Sequence, residues 1–125
     1  MTEGHRGLVA WQRAMDLATS CYAMSLSLRR AGHGALATQL QRAAISVPAN
    51  IAEGKGRSTK REYARFLTVA LGSLRELETL VQLAQRVGAA EALSCTVILQ
   101  SADEVGRVTF GLRRALQEPT QPPAT

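Results

Sequence analysis

Ser46-Val47-Pro48-Ala49-Asn50-Ile51-Ala52-Glu53-Gly54-Lys55-Gly56-Arg57-Ser58 is the stretch whose reading decides the fold. It sets a proline, an amide, a carboxylate, two glycines and two cations between strongly helical segments. Upstream, Leu36, Leu40, Ala43, Ala44, Val47 and Ile51 recur at helical spacing and predict a helix from Ala35 to Ala52. Pro48 falls inside it. Proline removes one helical donor and crowds the carbonyl four residues back, here that of Ala44. Val47 and Ile51 keep the helical spacing, so a kink near Ser46 is expected rather than a stop. Gly54 and Gly56 are expected to end the helix.

Downstream, Ser58 or Thr59 can cap the next helix, and Glu62 follows Thr59 by three residues, as in a capping box. Tyr63, Leu67, Ala70, Leu74, Leu77, Val81 and Ala84 then alternate four and three apart, which is coiled-coil-like spacing. A helix from Thr59 to Val87 would be ~43 Å long at 1.5 Å per residue. Phe66, Ser73, Leu80, Leu83 and Val87 add a neighbouring stripe, and Gly88 ends the segment.

Two flanking segments complete the set. Leu8 to Ala31 carries one stripe of Leu8, Trp11, Met15, Ala18 and Tyr22 and a second of Ala14, Leu17, Cys21 and Leu28. Together they are wider than the single face of a monomeric amphipathic helix. Ala90 to Gln117 places Ile98, Val105, Val108, Leu112 and Ala115 on one face. Residues 1–7 read as a polar lead-in, 8–117 as one helical domain and 118–125, with three of the four prolines, as a disordered tail. Three short connections between long helices favour antiparallel neighbours, hence an all-α, up-down-up-down four-helix bundle with a kinked second helix.

Composition agrees. The chain holds 20 Ala and 16 Leu but only five aromatics, which suits closely packed helices. Cys21 and Cys95 are isolated in apolar helical contexts and read as buried free thiols. No apolar run approaches the ~18 residues needed to span a bilayer, so a cytoplasmic location is expected.

The run from Asn50 to Gly54, together with Gly72-Ser73-Leu74-Arg75-Glu76-Leu77-Glu78, resembles the signature of the four-helix-bundle proteins encoded in intervening sequences of bacterial 23S rRNA genes. Val9-Ala10-Trp11-Gln12-Arg13-Ala14 and Gln39-Leu40-Gln41-Arg42-Ala43-Ala44 look like that family's first and second helices. Similar relatives include accessory proteins of diversity-generating retroelements, which bind a reverse transcriptase and nucleic acid. Their fourth helix usually ends in a Gly-Trp pair, where this chain has Phe110-Gly111-Leu112. The resemblance implies a homo-oligomer, with a pentameric ring as the expected arrangement. It also implies RNA, DNA, a reverse transcriptase or another nucleic-acid enzyme as partners.

Charge marks the candidate site. The net charge is +5, and residues 42–65 carry Arg42, Lys55, Arg57, Lys60, Arg61 and Arg65 against Glu53 and Glu62 alone. These six cations form the candidate nucleic-acid surface, aided by backbone donors at the start of the third helix. With no aromatic expected among them to stack on bases, recognition should be of phosphate and tolerant of sequence. The bland alternative is a solvated turn that keeps the protein soluble.

Pro48, Asn50, Glu53 and Gly54 read as a structural motif. The Asn50 amide can serve backbone groups freed by Pro48, and Glu53 can pair with Arg57. Glu76 and Glu78 point to different faces and suit ion pairing within the bundle or between subunits. His5 and His33 lack the spacing of a helical metal site, and a lone Glu53 is thin for acid–base chemistry. No catalytic, metal or cofactor site is expected. The reading is a non-enzymatic, basic oligomer that binds nucleic acid or a nucleic-acid-handling protein, with a protein-binding scaffold as the alternative.

Overall fold

The computed structural model describes residues 4–118. A short 3-10 turn, His5–Gly7, leads into four helices: α1 (Val9–Arg30), α2 (Gly34–Lys55), α3 (Lys60–Arg86) and α4 (Ala92–Gln117). Each helix packs on the next, and α4 returns to pack on α1. Among the described residues there is no strand, so the protein is all-α and consistent with a four-helix bundle.

Glycines set two of the boundaries. Gly32 and Gly88 have φ of 92° and 74°, a region open to them because they lack a Cβ. Gly32 N donates to Arg29 O and His33 N to Leu28 O. Gly88 N and Ala89 N repeat the pattern on Gln85 O and Ala84 O. Both helices therefore end in a Schellman motif that satisfies otherwise orphaned carbonyls. At the start of α3, Thr59 Oγ1 accepts from Glu62 N at 3.1 Å. This is half of the expected capping box, because the Glu62 carboxylate turns to Arg65 instead.

One core joins all four helices. The heptad stripe of α3 is buried from Leu67 to Ala84, and only Tyr63 at its head is part-exposed. In α1 the two stripes separate. Ala14, Leu17, Cys21 and Leu28 enter the core. Met15 and Tyr22 stay 41% and 51% exposed, with Trp11 and Ala18 half-buried. Helix α4 buries Ile98 and Val105 as expected and adds Cys95, Ala102 and Thr109, while Ala115 is exposed. Both cysteines are free and buried, and desolvation pushes the Cys21 thiol up to about 12.

Helix α2 departs from the sequence reading at its end. It runs unbroken through Pro48 and on past Gly54 to Lys55, with Gly56 as the cap. Gly54 therefore ends nothing. It is buried inside the helix, where a Cβ would lie 2.9 Å from Phe66 Cβ, 3.0 Å from Tyr63 Cδ1 and 3.1 Å from the Tyr63 carbonyl oxygen. The missing side chain is what lets the backbones of α2 and α3 close on each other beside the turn. Residues 4–7 likewise are more than a polar lead-in. The His5 ring meets Trp11 edge-on at 4.9 Å, and Gln12 Nε2 donates to Arg6 O at 2.8 Å. The expected disordered tail lies, from residue 119, outside the described residues.

Candidate nucleic-acid interface

The turn at residues 56–59 brings the end of α2 against the start of α3, and the six candidate cations divide around it. Lys55, Lys60 and Arg61 flank the turn, and none has an ion-pair partner among the described residues. Lys60 and Arg61 are exposed and border an open cleft of about 880 Å³ between the start of α3 and the end of α4. The N-terminal turn of a helix carries unpaired N–H groups and a positive dipole end, so these cations sit where an anion is favoured. Arg113 reaches this side from α4, donating to Thr68 Oγ1 at 3.3 Å.

Arg57 and Arg65 are held differently. Arg57 pairs with Glu53 at 3.5 Å, and Arg65 with Glu62 at 3.1 Å. Both guanidiniums also lie 4.7 Å from the Phe66 ring centroid. An aromatic does sit among the cations, against the sequence expectation. Phe66 belongs to the edge stripe of α3, and the bare Gly54 draws it to the turn. The hydrogen bond from Arg65 holds the Glu62 carboxyl below the usual carboxylate range, since losing the negative charge would lose that bond.

Arg42 is exposed but stands apart from the turn. It precedes Lys55 by 13 residues on one continuous helix, ~20 Å at 1.5 Å per residue. One protomer therefore presents Lys55 on one side of the turn and Lys60 and Arg61 on the other, with two restrained arginines beside them and Arg42 remote.

The structural motif is only partly as expected. Asn50 Nδ2 donates to Ser46 O at 2.8 Å and Ser46 Oγ at 2.9 Å. The carbonyl deprived of its donor by Pro48 belongs to Ala44, so Asn50 serves a different group. Ser46 Oγ in turn shares a 2.7 Å hydrogen bond with Ser73 Oγ of α3. Asn50, Ser46 and Ser73 thus form a polar bridge between α2 and α3. Ser73 lay in the α3 edge stripe, and a serine in an otherwise apolar stripe is the one signal that could have marked it. Glu78 pairs with Arg75 at 2.6 Å, while Glu76 is exposed with no ion pair among the described residues.

The 23S rRNA-intervening sequence protein model matches residues 6–111. The chain belongs to that family. The match takes in the four helices through Gly111 and every residue of the turn. A crystal structure from Bacteroides thetaiotaomicron, a protein of unknown function from the S23 ribosomal protein family, is similar in fold. Its TM-score is 0.82 at 18% sequence identity, over 85% of this chain and 99% of that chain. No curated protein matches in sequence. Among the described residues no helix is long and apolar enough to cross a membrane.

Proposed function

We propose that this protein is a non-enzymatic, basic homo-oligomer of the bacterial cytoplasm, a pentameric ring of antiparallel four-helix protomers. It binds nucleic acid, or the nucleic-acid face of a reverse transcriptase or similar enzyme, through the α2–α3 turn. The observation that carries the reading is the set of Lys55, Lys60 and Arg61, without ion pairs among the described residues, beside the N-terminus of a 27-residue helix. Their chemistry is that of phosphate recognition: point charges and guanidinium donors around a helix start. One copy offers few contacts and binds weakly. Repetition around a ring raises avidity by ~10² or more where one polymer spans several copies.

The antiparallel arrangement is supported by cross-helix pairs whose order reverses. Ser46 meets Ser73 while the later Gly54 meets the earlier Tyr63. Cys95 meets Val81 while the later Arg113 meets the earlier Thr68. A protein-binding scaffold is the second reading, favoured by the engagement of Arg57 and Arg65 with acids and Phe66. The test is fluorescence anisotropy with single-stranded and duplex RNA and DNA. Lys55, Lys60 and Arg61 reversed to Glu should abolish binding with the thermal melt unchanged. Equal binding by that variant puts the scaffold reading first.

A further inference from the structure

We infer that copies of this chain join head to tail, with the start of α4 of one copy seated in the groove between α1 and α2 of the next. This rests on the homo-oligomer reading above and specifies which surfaces meet.

The groove is the hollow half of the pair. It is open, with a volume of about 670 Å³, and its lining includes Met15, Tyr22, Leu26, Ile45 and Pro48. Tyr22 and Ile45 are 51% and 56% exposed, too much apolar surface for the fold itself to explain. The groove is the outer stripe of α1, the part of that helix wider than one core needs.

The start of α4 is the projecting half. Leu93 is 74% exposed, the highest value among the large apolar side chains of the described residues, and Val97 one turn later is 54% exposed. Leu93 and Val97 are i and i+4 on one helix, so they form a continuous knob. It borders an open cleft against Ser20, Met24 and Ser27 of α1, next to the groove, and Ala23 lies between the two. Two grooves placed face to face would enclose a void and forfeit contact on both sides, whereas a knob fills the hollow.

Charge sets the direction. Arg30 lies one turn beyond Leu26 and Arg42 one turn before Ile45, both at the same end of the groove. Neither has an acidic partner among the described residues. Glu91, two residues ahead of Leu93, stands at the N-cap position of α4 with no side-chain cap hydrogen bond and no ion pair among the described residues. Seating the knob with Glu91 toward Arg30 and Arg42 matches the unpaired charges. It also gives Arg42 a role that its distance from the turn otherwise leaves open. A contact between two different patches repeats on every copy and closes into a ring when the rotation allows.

The test is complementation between Ile45→Asp, which spoils only the groove, and Leu93→Asp, which spoils only the knob. Both side chains are exposed in the protomer, so each variant should still fold to wild-type helicity and melt cooperatively, lower than wild type only by the lost association. Sedimentation at high micromolar concentration should show an oligomer for wild type and the 13.4 kDa chain mass for each variant alone. An equimolar mixture should shift to twice that mass, because one intact knob and one intact groove remain. If wild type is monomeric, the oligomer reading fails and the pairing with it. If wild type is oligomeric but either variant still assembles, or the mixture stays monomeric, the oligomer stands and this pairing is overturned.

Discussion

Gly54→Ala and Gly72→Ala make the same chemical change in neighbouring helices and should have opposite effects. At position 72 of α3 a new Cβ meets nothing within 4 Å. Replacing an exposed helical glycine by alanine there should stabilise by up to ~1 kcal/mol through backbone entropy alone. The same entropic gain applies at position 54, but the new Cβ falls 2.9 Å from Phe66 Cβ and 3.1 Å from the Tyr63 carbonyl oxygen. Neither atom can rotate away, because one is a Cβ and the other is backbone. Relief requires α2 and α3 to separate, and overpacking of this kind costs about 1–3 kcal/mol. The contacts are with fixed atoms, so the upper half of that range applies. The net loss is then about 1–2 kcal/mol, or ~4–8 °C in Tm for a domain of this size. Thermal melts by circular dichroism at matched concentration give the answer. A Gly54→Ala protein that melts at or above wild type would refute the close approach as the reason for glycine in the signature.

Three further outcomes follow from named contacts. Asn50→Ala should lower stability by roughly 1–2 kcal/mol, because Ser46 loses both hydrogen bonds from the amide, and Asn50→Asp should be no better; unchanged melts in both would place Asn50 outside the bridge. Cys21 should resist alkylation at pH 8 in the folded protein and react at once in denaturant. Its thiol is raised to about 12 by burial, so its contribution is full below the unfolded value near 9 and is lost as pH climbs toward 12. That slope is up to ~1.4 kcal/mol per pH unit and is read from urea melts. Phe66→Leu should release Arg57 and Arg65 from the ring and leave nucleic-acid affinity and its salt dependence near wild type, since Lys55, Lys60 and Arg61 are untouched and no charge is removed; a severalfold loss of affinity would show that Phe66 or the two arginines belong to the binding surface.

Much of the fold was legible because burial writes periodicity. The stripe from Leu67 to Ala84 in α3 could bury itself in only one way. The excess width of α1 was legible too, as an outer stripe with no place in one core. What stayed hidden depends on distances between helices. Gly54 looks like a stop signal in one dimension, and only the approach of Tyr63 and Phe66 shows that the helix must continue past it. The same approach carries Phe66 to Arg57, nine residues upstream. Asn50 has Pro48 as its nearest anomaly in the sequence, but an amide at i+4 reaches the carbonyl of Ser46. Arg42 lies near the turn in sequence, but a continuous helix carries it away from Lys55 at every step.

The measurement that bears most directly on the proposed function is the salt dependence of single-stranded RNA affinity, wild type against Lys55, Lys60 and Arg61 reversed to Glu. If those three cations contact phosphate, log Kobs should fall linearly with log salt, with a slope of about −2 or steeper at ~0.7 per contact. The reversed variant should show no binding at low salt while it melts and sediments as wild type does. Wild-type protein that fails to bind at low salt, or a reversed variant that binds with the same slope, would contradict the assignment of this turn as a phosphate-binding surface.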